Sequence, residues 1–341
     1  MSKYTCVVER LTGPVVVLHG GAGAYLQTTT PQRRAARGRT MLDLAQRGLG
    51  LCVAQDARDA VLFTVGEMEK DPEFNAGYGS KLQRDGRVRV TASLMDGRRM
   101  RMSSVFNVEG CQHPSRLAAV LQARSDRNLD GQGAALLMAE LALEPVDLRT
   151  AQTLARWKAL LADGETVDPE AAIGDADEVD LERAIAAEVA VPEDFRRLIP
   201  DESERYGTVG AVAVDAQGHL WACTSTGGRG HEGVGRLSDS GMPAGNYACP
   251  YVAVSATGFG EQIIDWDVCG RIATRVTDGA SLESALRRTF DELSEAGGLL
   301  GVIAVTAEGV AGYAYSTEAC GVAWADAHGR THLDPHGRST G

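Results

Sequence analysis

Nothing in this chain is apolar for long enough to cross a bilayer. The longest hydrophobic runs, Pro14 to Leu18 and Gly298 to Val305, fall far short of the roughly 20 residues a spanning helix needs. The opening MSKYTCVVERLTGP has no continuous apolar core of a signal peptide. A cytoplasmic, soluble protein is the expectation. The seven cysteines (Cys6, Cys52, Cys111, Cys223, Cys249, Cys269 and Cys320) are odd in number and include no C-x-x-C pair. That excludes both a disulfide framework and a zinc site as readings, and leaves reduced core residues. There is no N-x-[ST] acceptor for N-glycosylation and no internal repeat. Cations are also short, with 34 Lys and Arg against 46 Asp and Glu, a formal net charge of -12. Such a balance disfavours nucleic acid and anionic membrane as partners.

The negative charge is concentrated. Between Asp163 and Gly207 stand fifteen Asp and Glu against four Arg, and the segment is poor in aromatics and interrupted by prolines. It reads as an exposed connector, in part disordered, with one short helix. The remainder is close to neutral. At 341 residues and 44% hydrophobic content, it has material for one large core or two ordinary ones.

Periodicity places elements on both sides of the connector. PVVVLHG reads as a buried strand, followed by helical spacing from about Gln32 to Glu69 with a break near Gly48. GRVRVTASLMDG and MSSVFNVEG read as two strands, and Ser115 to Ala123, Gly133 to Leu143 and Leu148 to Leu161 as helices. After the connector, Thr208 to Asp215 and His219 to Thr226 flank the hairpin signal Ala216-Gln217-Gly218, and Tyr251 to Thr257 is a third strand. Helices over about Glu261 to Thr277 and Ser281 to Glu295 precede strands near Gly301 to Thr306, Val310 to Tyr315 and Gly321 to Ala325. Strands with paired helices in each half predict sheets packed face to face with helices outside, an αββα sandwich.

Three stretches have the composition of a site. HGGAGAY follows the first strand but lacks the G-K-[ST] ending and the G-x-G-x-x-G spacing of phosphate loops, so a tight strand-exit turn is the better reading. FNAGYGSKLQRDGRVRVTASLMDG reads as a loop and a hairpin. In ERYGTVGAVAVDAQGHLWACTSTGG, Gly207-Thr208 lies where the acidic segment meets a buried strand.

Jointly, HGGAGA, FNAGYGS, ASLMDG, GTVGAVAVD, TSTGG, GRLSDS, AGNYA and SATGFGE resemble, in order and spacing, the plant-type asparaginase or isoaspartyl peptidase family of N-terminal-nucleophile hydrolases, related to glycosylasparaginase. The likeness runs from about Val15 to Ala325. It implies a four-layer αββα sandwich and self-cleavage at Gly207-Thr208 into fragments 1–207 and 208–341 that stay together as one structural domain. A dimer of such two-fragment units is also implied, acting on a small-molecule substrate.

The chemistry explains these residue types. A threonine hydroxyl needs a base, and the α-amine that cleavage frees on Thr208 is one held covalently beside it. With a reference pKa of about 8, a useful fraction of that amine is unprotonated near neutral pH. The resemblance assigns Thr226 to a hydrogen bond with the nucleophile, and Thr257 and Gly258 to an oxyanion hole. It gives Arg236 to the substrate α-carboxylate, and Asp239 and Gly260 to its α-ammonium. Asn75 falls beside the nucleophile. Without the resemblance, Thr226 is an ordinary strand threonine, Arg236 and Asp239 a surface ion pair, and T-G-x-G a turn.

No other cofactor is implied, but the loop around Asn75 resembles a structural sodium site built from backbone oxygens of Met68, Glu69, Asp71, Phe74, Ala76 and Tyr78. One departure stands out: where the family reads G-R-V-G-D-[ST]-P, this chain has Gly235-Arg236-Leu237-Ser238-Asp239-Ser240-Gly241, and the segment up to Tyr247 is one residue shorter. Both charges survive, and the loop behind them is put in doubt. Glu232, between Thr226 and Arg236, is either a solvated carboxylate or a partner for a basic leaving group. The expected activity is hydrolysis of β-aspartyl dipeptides, with asparagine as a second substrate. A glycosylasparaginase, or an uncleaved inactive homologue serving as a scaffold, is the alternative.

Overall fold

The computed structural model describes residues 3–23, 30–162 and 207–334. The acidic connector before Gly207, with the short helix read in it, lies outside them. Two sheets form the centre. Eight strands run in the order β13 (Thr331–Asp334), β12 (Ala319–Asp326), β2 (Val15–Gly23), β6 (Val209–Val214), β7 (Leu220–Thr226), β3 (Val90–Asp96), β4 (Arg101–Val108) and β5 (Asn128–Leu129). Five more run β1 (Thr5–Arg10), β11 (Val310–Tyr315), β10 (Leu300–Thr306), β9 (Val252–Gly258) and β8 (Asn246–Ala248). Every pairing is antiparallel except β4 with β5.

Strand periodicity sorts the side chains into layers. Because successive residues point to opposite faces, Val15 and Val17 of β2, Val212 and Val214 of β6, Leu220 and Ala222 of β7, and Ala253 of β9 share one core with Ile303, Val305 and Tyr313 between the sheets. Their neighbours Val16, Leu18, Ala211, Ala213 and Cys223 instead meet Met41, Leu44, Val61 and Val65 of helices α1 (Pro31–Ala54) and α2 (Ala57–Met68). On the far side, Val252, Val254, Ala256, Val302 and Ala304 pack against α7 (Val268–Thr277) and α8 (Leu282–Glu295) through Ile272, Leu286 and Phe290. Helices α3 (Pro114–Leu121) and α4 (Gly131–Glu140) pack on β3 and β4 through Leu117, Leu121, Leu137 and Met138 against Val90, Val105 and Val108, and α5 (Ala151–Ala162) adds Leu154 and Trp157 at the edge of that cluster. The result is the αββα sandwich expected from the sequence. All seven cysteines are free, and all but Cys6 are buried.

Three local expectations are corrected. The sequence HGGAG does not turn out of the strand but continues it to Gly23, since β12 pairs with β2 as far as Gly23 after β6 has parted from it at His19. The helix from about Glu261 to Thr277 is two: α6 (Gly260–Asp265) ends at Trp266, and Asp267, at φ 43°, turns the chain into α7. The first long helix does not break at Gly48. Pro31 and the Thr30 side chain, which accepts from Arg33 N–H at 3.2 Å, start α1, and it runs unbroken to Ala54. The break comes where Asp56 caps α2 by accepting from Asp59 N–H at 2.8 Å. Gly48 is where α1 meets α2, because a methyl group there would lie 2.6 Å from Thr64 Oγ1.

That contact separates two glycines of one helix. Ala in place of Gly ordinarily stabilises a helix interior by about 1 kcal/mol, and Gly50, with no atom within 4 Å of its added methyl, should follow the rule. Gly48→Ala should lower stability by about 1–3 kcal/mol, the range for overpacking a core. Urea unfolding of the two variants checks the opposite signs; equal stabilisation would refute the close helix contact.

Candidate functional site

At one end of the sandwich the apolar column between the sheets turns polar in step with the strand period. Along β6 the inward positions pass from Val214 and Val212 to Gly210 and then Thr208. Along β7 they pass from Leu220 and Ala222 to Thr224 and Thr226, along β9 from Ala253 to Ser255 and Thr257, and along β2 from Val17 to His19. Four strands thus deliver hydroxyls and one imidazole to the same buried place. Thr208 is 7% exposed, and its Oγ1 donates to Thr226 Oγ1 at 3.1 Å. Thr226 Oγ1 also accepts from Gly228 N–H at 3.1 Å, which fixes it at the exit of β7.

Asn75 braces this turn. Its Nδ2 donates to the Gly228 carbonyl at 2.6 Å, its Oδ1 accepts from Lys81 N–H at 2.9 Å, and its own carbonyl accepts from Gly227 N–H at 3.0 Å. A methyl group at Gly207 would lie 2.6 Å from Asn75 Cβ, so the residue before Thr208 must be small. Thr257 is fully buried and its Oγ1 accepts from Ala22 N–H at 3.2 Å, a bond that leaves the hydroxyl proton to be donated elsewhere. Gly258 sits at φ 138° with Leu300 Cα 2.5 Å from where a Cβ would be, a position only glycine fills.

The charged wall is built around Gly260. A methyl group there would overlap Arg236 Nη2 and approach Asp239 Oδ1 to 2.6 Å, so cation and anion flank one bare backbone position. The Arg236 guanidinium binds Glu261 through both Nε to Oε1 and Nη2 to Oε2, each at 3.0 Å. Burial alone would raise the Glu261 pKa; these bonds outweigh it and hold the carboxyl below its ordinary range. Asp239 is buried, accepts from Ser238 Oγ at 3.1 Å, and has no partner on Oδ2. Burial pushes it up to about 6 against the pull of Arg236. Of the two sequence readings of Glu232, solvation is overturned: it is 3% exposed. Positive φ at Gly228, Gly230, His231 and Gly235 folds the loop back until the Glu232 carboxylate fills the space a Gly228 side chain would need, and Oε2 has no hydrogen-bond partner.

Two groups were not assigned from sequence although both lie inside motifs quoted there: His19 opens HGGAGA and Glu261 closes SATGFGE. Their signal was a polar residue at an inward strand position and a carboxylate one residue past the T-G-x-G turn. Fully buried, His19 places Nδ1 3.2 Å from the Thr208 carbonyl and Nε2 2.9 Å from Ser255 Oγ. Burial pushes its pKa down to about 3 despite the carbonyl contact, so it is neutral at physiological pH.

A family model described as asparaginase matches residues 12–333. The isoaspartyl peptidase/L-asparaginase of Nostoc sp. is 37% identical over 305 residues, covering 87% of this chain and 86% of that protein. The isoaspartyl peptidase of Salmonella typhimurium is 34% identical over 317 residues, covering 91% and 94%. The plant-type L-asparaginase of Pyrobaculum calidifontis is 33% identical over 314 residues, covering 91% and 96%.

The burial of His19 has a measurable sign. Below its ordinary value of 6.5 the unfolded chain takes up a proton that the folded chain refuses, so stability falls as the pH falls towards 3. Between about pH 7 and about pH 5 this one group should remove about 2 kcal/mol. In urea unfolding, His19→Gln should lose that much less stability over the same interval; an identical loss would mean that the imidazole is not buried neutral.

Proposed function

The chain belongs to the asparaginase family, and from that membership we propose that it hydrolyses β-aspartyl dipeptides and asparagine through a covalent intermediate on Thr208. The observation that carries this reading is the buried 3.1 Å hydrogen bond between the Thr208 and Thr226 hydroxyls, in a site whose wall holds an arginine and an aspartate on either side of a glycine. Isoaspartyl peptidase and L-asparaginase are the activities for which the relatives are named.

In the intact chain the Thr208 nitrogen is an amide and no base. We propose that Oγ1 first attacks the Gly207 carbonyl carbon, the acyl group passes from nitrogen to oxygen, and water releases fragment 1–207. The freed α-amine then takes the hydroxyl proton as Oγ1 attacks the substrate side-chain carbonyl. The Thr257 hydroxyl and Gly258 N–H stabilise the oxyanion, the amine returns the proton to the leaving nitrogen, and water hydrolyses the acyl-threonine. Gly260 lets the substrate backbone approach Arg236 and Asp239. With Nε and one Nη2 hydrogen on Glu261, the guanidinium retains its Nη1 edge for a carboxylate. Asp239 holds the ammonium only while ionised, so binding weakens as the pH falls through about 6. Asn75 contributes by holding Gly227 and Gly228 through its carbonyl and Nδ2, with its Oδ1 taken by Lys81 N–H.

The loop after α2 supports a structural cation of the sodium type. The Met68, Glu69 and Asp71 carbonyls each accept one backbone N–H, from Asp71, Tyr78 and Phe74, and each keeps a second lone pair. The Glu69 and Gln112 carbonyls converge where a Gly77 side chain would lie. Such an ion would brace the loop beneath Asn75, with Phe74, Ala76 and Tyr78 as further carbonyl donors. Among the described residues no group of three or more His, Cys, Asp or Glu suits a metal, and no helix is long and apolar enough to cross a membrane. Pairing of two cleaved units follows from the same resemblance, and mass in solution tests it.

Thr208→Ala should run as one uncut chain on a denaturing gel and hydrolyse neither asparagine nor β-aspartyl dipeptides; a working uncut variant would end this mechanism. The buried, part-unpaired Glu232 carboxylate supports a basic leaving residue. On that reading β-Asp-Arg is cleaved with kcat/KM about tenfold above β-Asp-Leu, and Glu232→Gln shrinks the ratio while leaving asparagine hydrolysis unchanged. Equal rates on both dipeptides would remove Glu232 from the account.

A further inference from the structure

We propose that His19 is a positioning residue for Thr208: it holds the Thr208 carbonyl at the end of a string of buried side chains that crosses between the two sheets to Asn246. The proposal rests on the reading of Thr208 as nucleophile. Thr208 needs such a hold because it stands just outside the strand ladders. The pairing of β6 with β2 covers Gly210 to Val214, and that with β7 begins at Val209. Once cut, Thr208 would be a chain terminus of the kind that frays, yet its hydroxyl and amine must stay aimed. The Thr226 hydroxyl fixes its Oγ1 and His19 fixes its carbonyl. Two points on opposite sides of Cα leave little rotation.

The string alternates between the sheets. His19 on β2 meets Ser255 on β9 at 2.9 Å, Ser255 meets Thr224 on β7 at 2.6 Å, and Thr224 meets Asn246 on β8 at 2.9 Å. All four are fully buried. It runs directly over Gly210, where any side chain would overlap both Ser255 Oγ and His19 Nε2. Gly210 has no positive φ and so is not required by the backbone. A glycine weakens a strand interior, and here the room for the string accounts for it.

Counting hydrogens sets the direction of the string. The carbonyl of Thr208 can only accept, so Nδ1 carries the proton and Nε2 accepts from Ser255. Thr224 then donates to Ser255, and its own oxygen requires a donor. Four contacts ending on a carbonyl at each end would need four hydrogens, whereas a neutral imidazole and two hydroxyls supply three. Either the imidazole is doubly protonated or the Asn246 amide is turned with Nδ2 towards Thr224, which gives up the long 3.4 Å bond that Nδ2 otherwise makes to the Ala222 carbonyl. Complete burial opposes the imidazolium and selects the amide. Every donor therefore points towards Thr208.

The test combines kinetics with the wild-type spectrum. His19→Leu and Gly210→Ala, the latter cutting the string without replacing a member, should lower kcat about tenfold to a hundredfold with KM nearly unchanged. The midpoint of the acid limb of the kcat–pH profile, where substrate is already bound and the Thr208 amine is the base, should not move. His19→Gln keeps an N–H that can reach the carbonyl and should recover part of kcat. Wild-type kcat in His19→Leu, a loss confined to KM, or loss of the acid limb itself would overturn the assignment, the last by making His19 the base. Should the variants fold poorly, 15N spectra of the wild-type imidazole decide: one proton, on Nδ1, from about pH 5 to about pH 9 is expected, and a proton on Nε2 refutes the string. That readout does not depend on turnover, so it stands apart from failure of the Thr208 mechanism itself.

Discussion

Exclusion of water from the space between the two sheets is the constraint on which the rest depends. Val15, Val17, Val212, Val214, Leu220 and Ala222 fill that space, and the site begins where the same inward positions change to Thr, Ser and His. Strand geometry makes this change coherent. β2, β7 and β9, together with Thr208 at the entry to β6, each contribute a polar residue at the same depth because the strands repeat every two residues, so hydroxyls far apart in sequence meet at one place. A hydroxyl is a modest group in water. In a dry layer its few hydrogen bonds fix its direction, and an unmet one is costly.

Around this rigid centre the wall is electrically unsettled. Arg229 and Arg236 face Glu232, Asp239 and Glu261, with Arg229 Nη2 3.8 Å from Glu261 and its guanidinium over the Phe259 ring. One oxygen each of Glu232 and Asp239, Oε2 and Oδ2, has no hydrogen-bond partner. Buried carboxylates in that condition are poor contributors to stability. They are suited to a cationic group arriving from outside, which supplies the missing donors. Arg236 illustrates the compromise: it is held by Glu261 in the plane a substrate carboxylate would use, so its geometry is set before any ligand arrives.

The sequence made some of this legible and not the rest, for physical reasons. Strands such as Val209–Val214 and Leu220–Thr226 could be read because hydrophobic runs and the turn between them are local. The layer order followed, since strands and helix pairs have few ways to bury their apolar faces. Thr208, Thr226, Arg236 and Asp239 were identified through motifs, and the structure brings the first pair into contact and sets the second beside Gly260. His19 escaped because its partners, Thr208 and Ser255, are 189 and 236 positions away. The sequence left Glu232 open between two readings for a related reason: four positive-φ residues fold its loop inward, and no periodicity reports that. The helix break assigned to Gly48 shows the converse error, in which a residue kept small for a neighbouring helix was read as punctuation.

The strand order has a consequence for a chain cut before Thr208. In the eight-stranded sheet, β2 lies between β12 and β6, and β3 lies beside β7, so strands from the two sides of the cut are interleaved, and β1 caps β11 in the other sheet. No plane divides the pieces. Unfolding would then release two molecules, neither retaining a complete sheet, and reassembly would be a second-order encounter between partners with open edges. Mass action would make the midpoint depend on concentration, and aggregation would outrun the return. A molecule cut this way would fold once, as a single chain, and afterwards persist through the slowness of its unfolding.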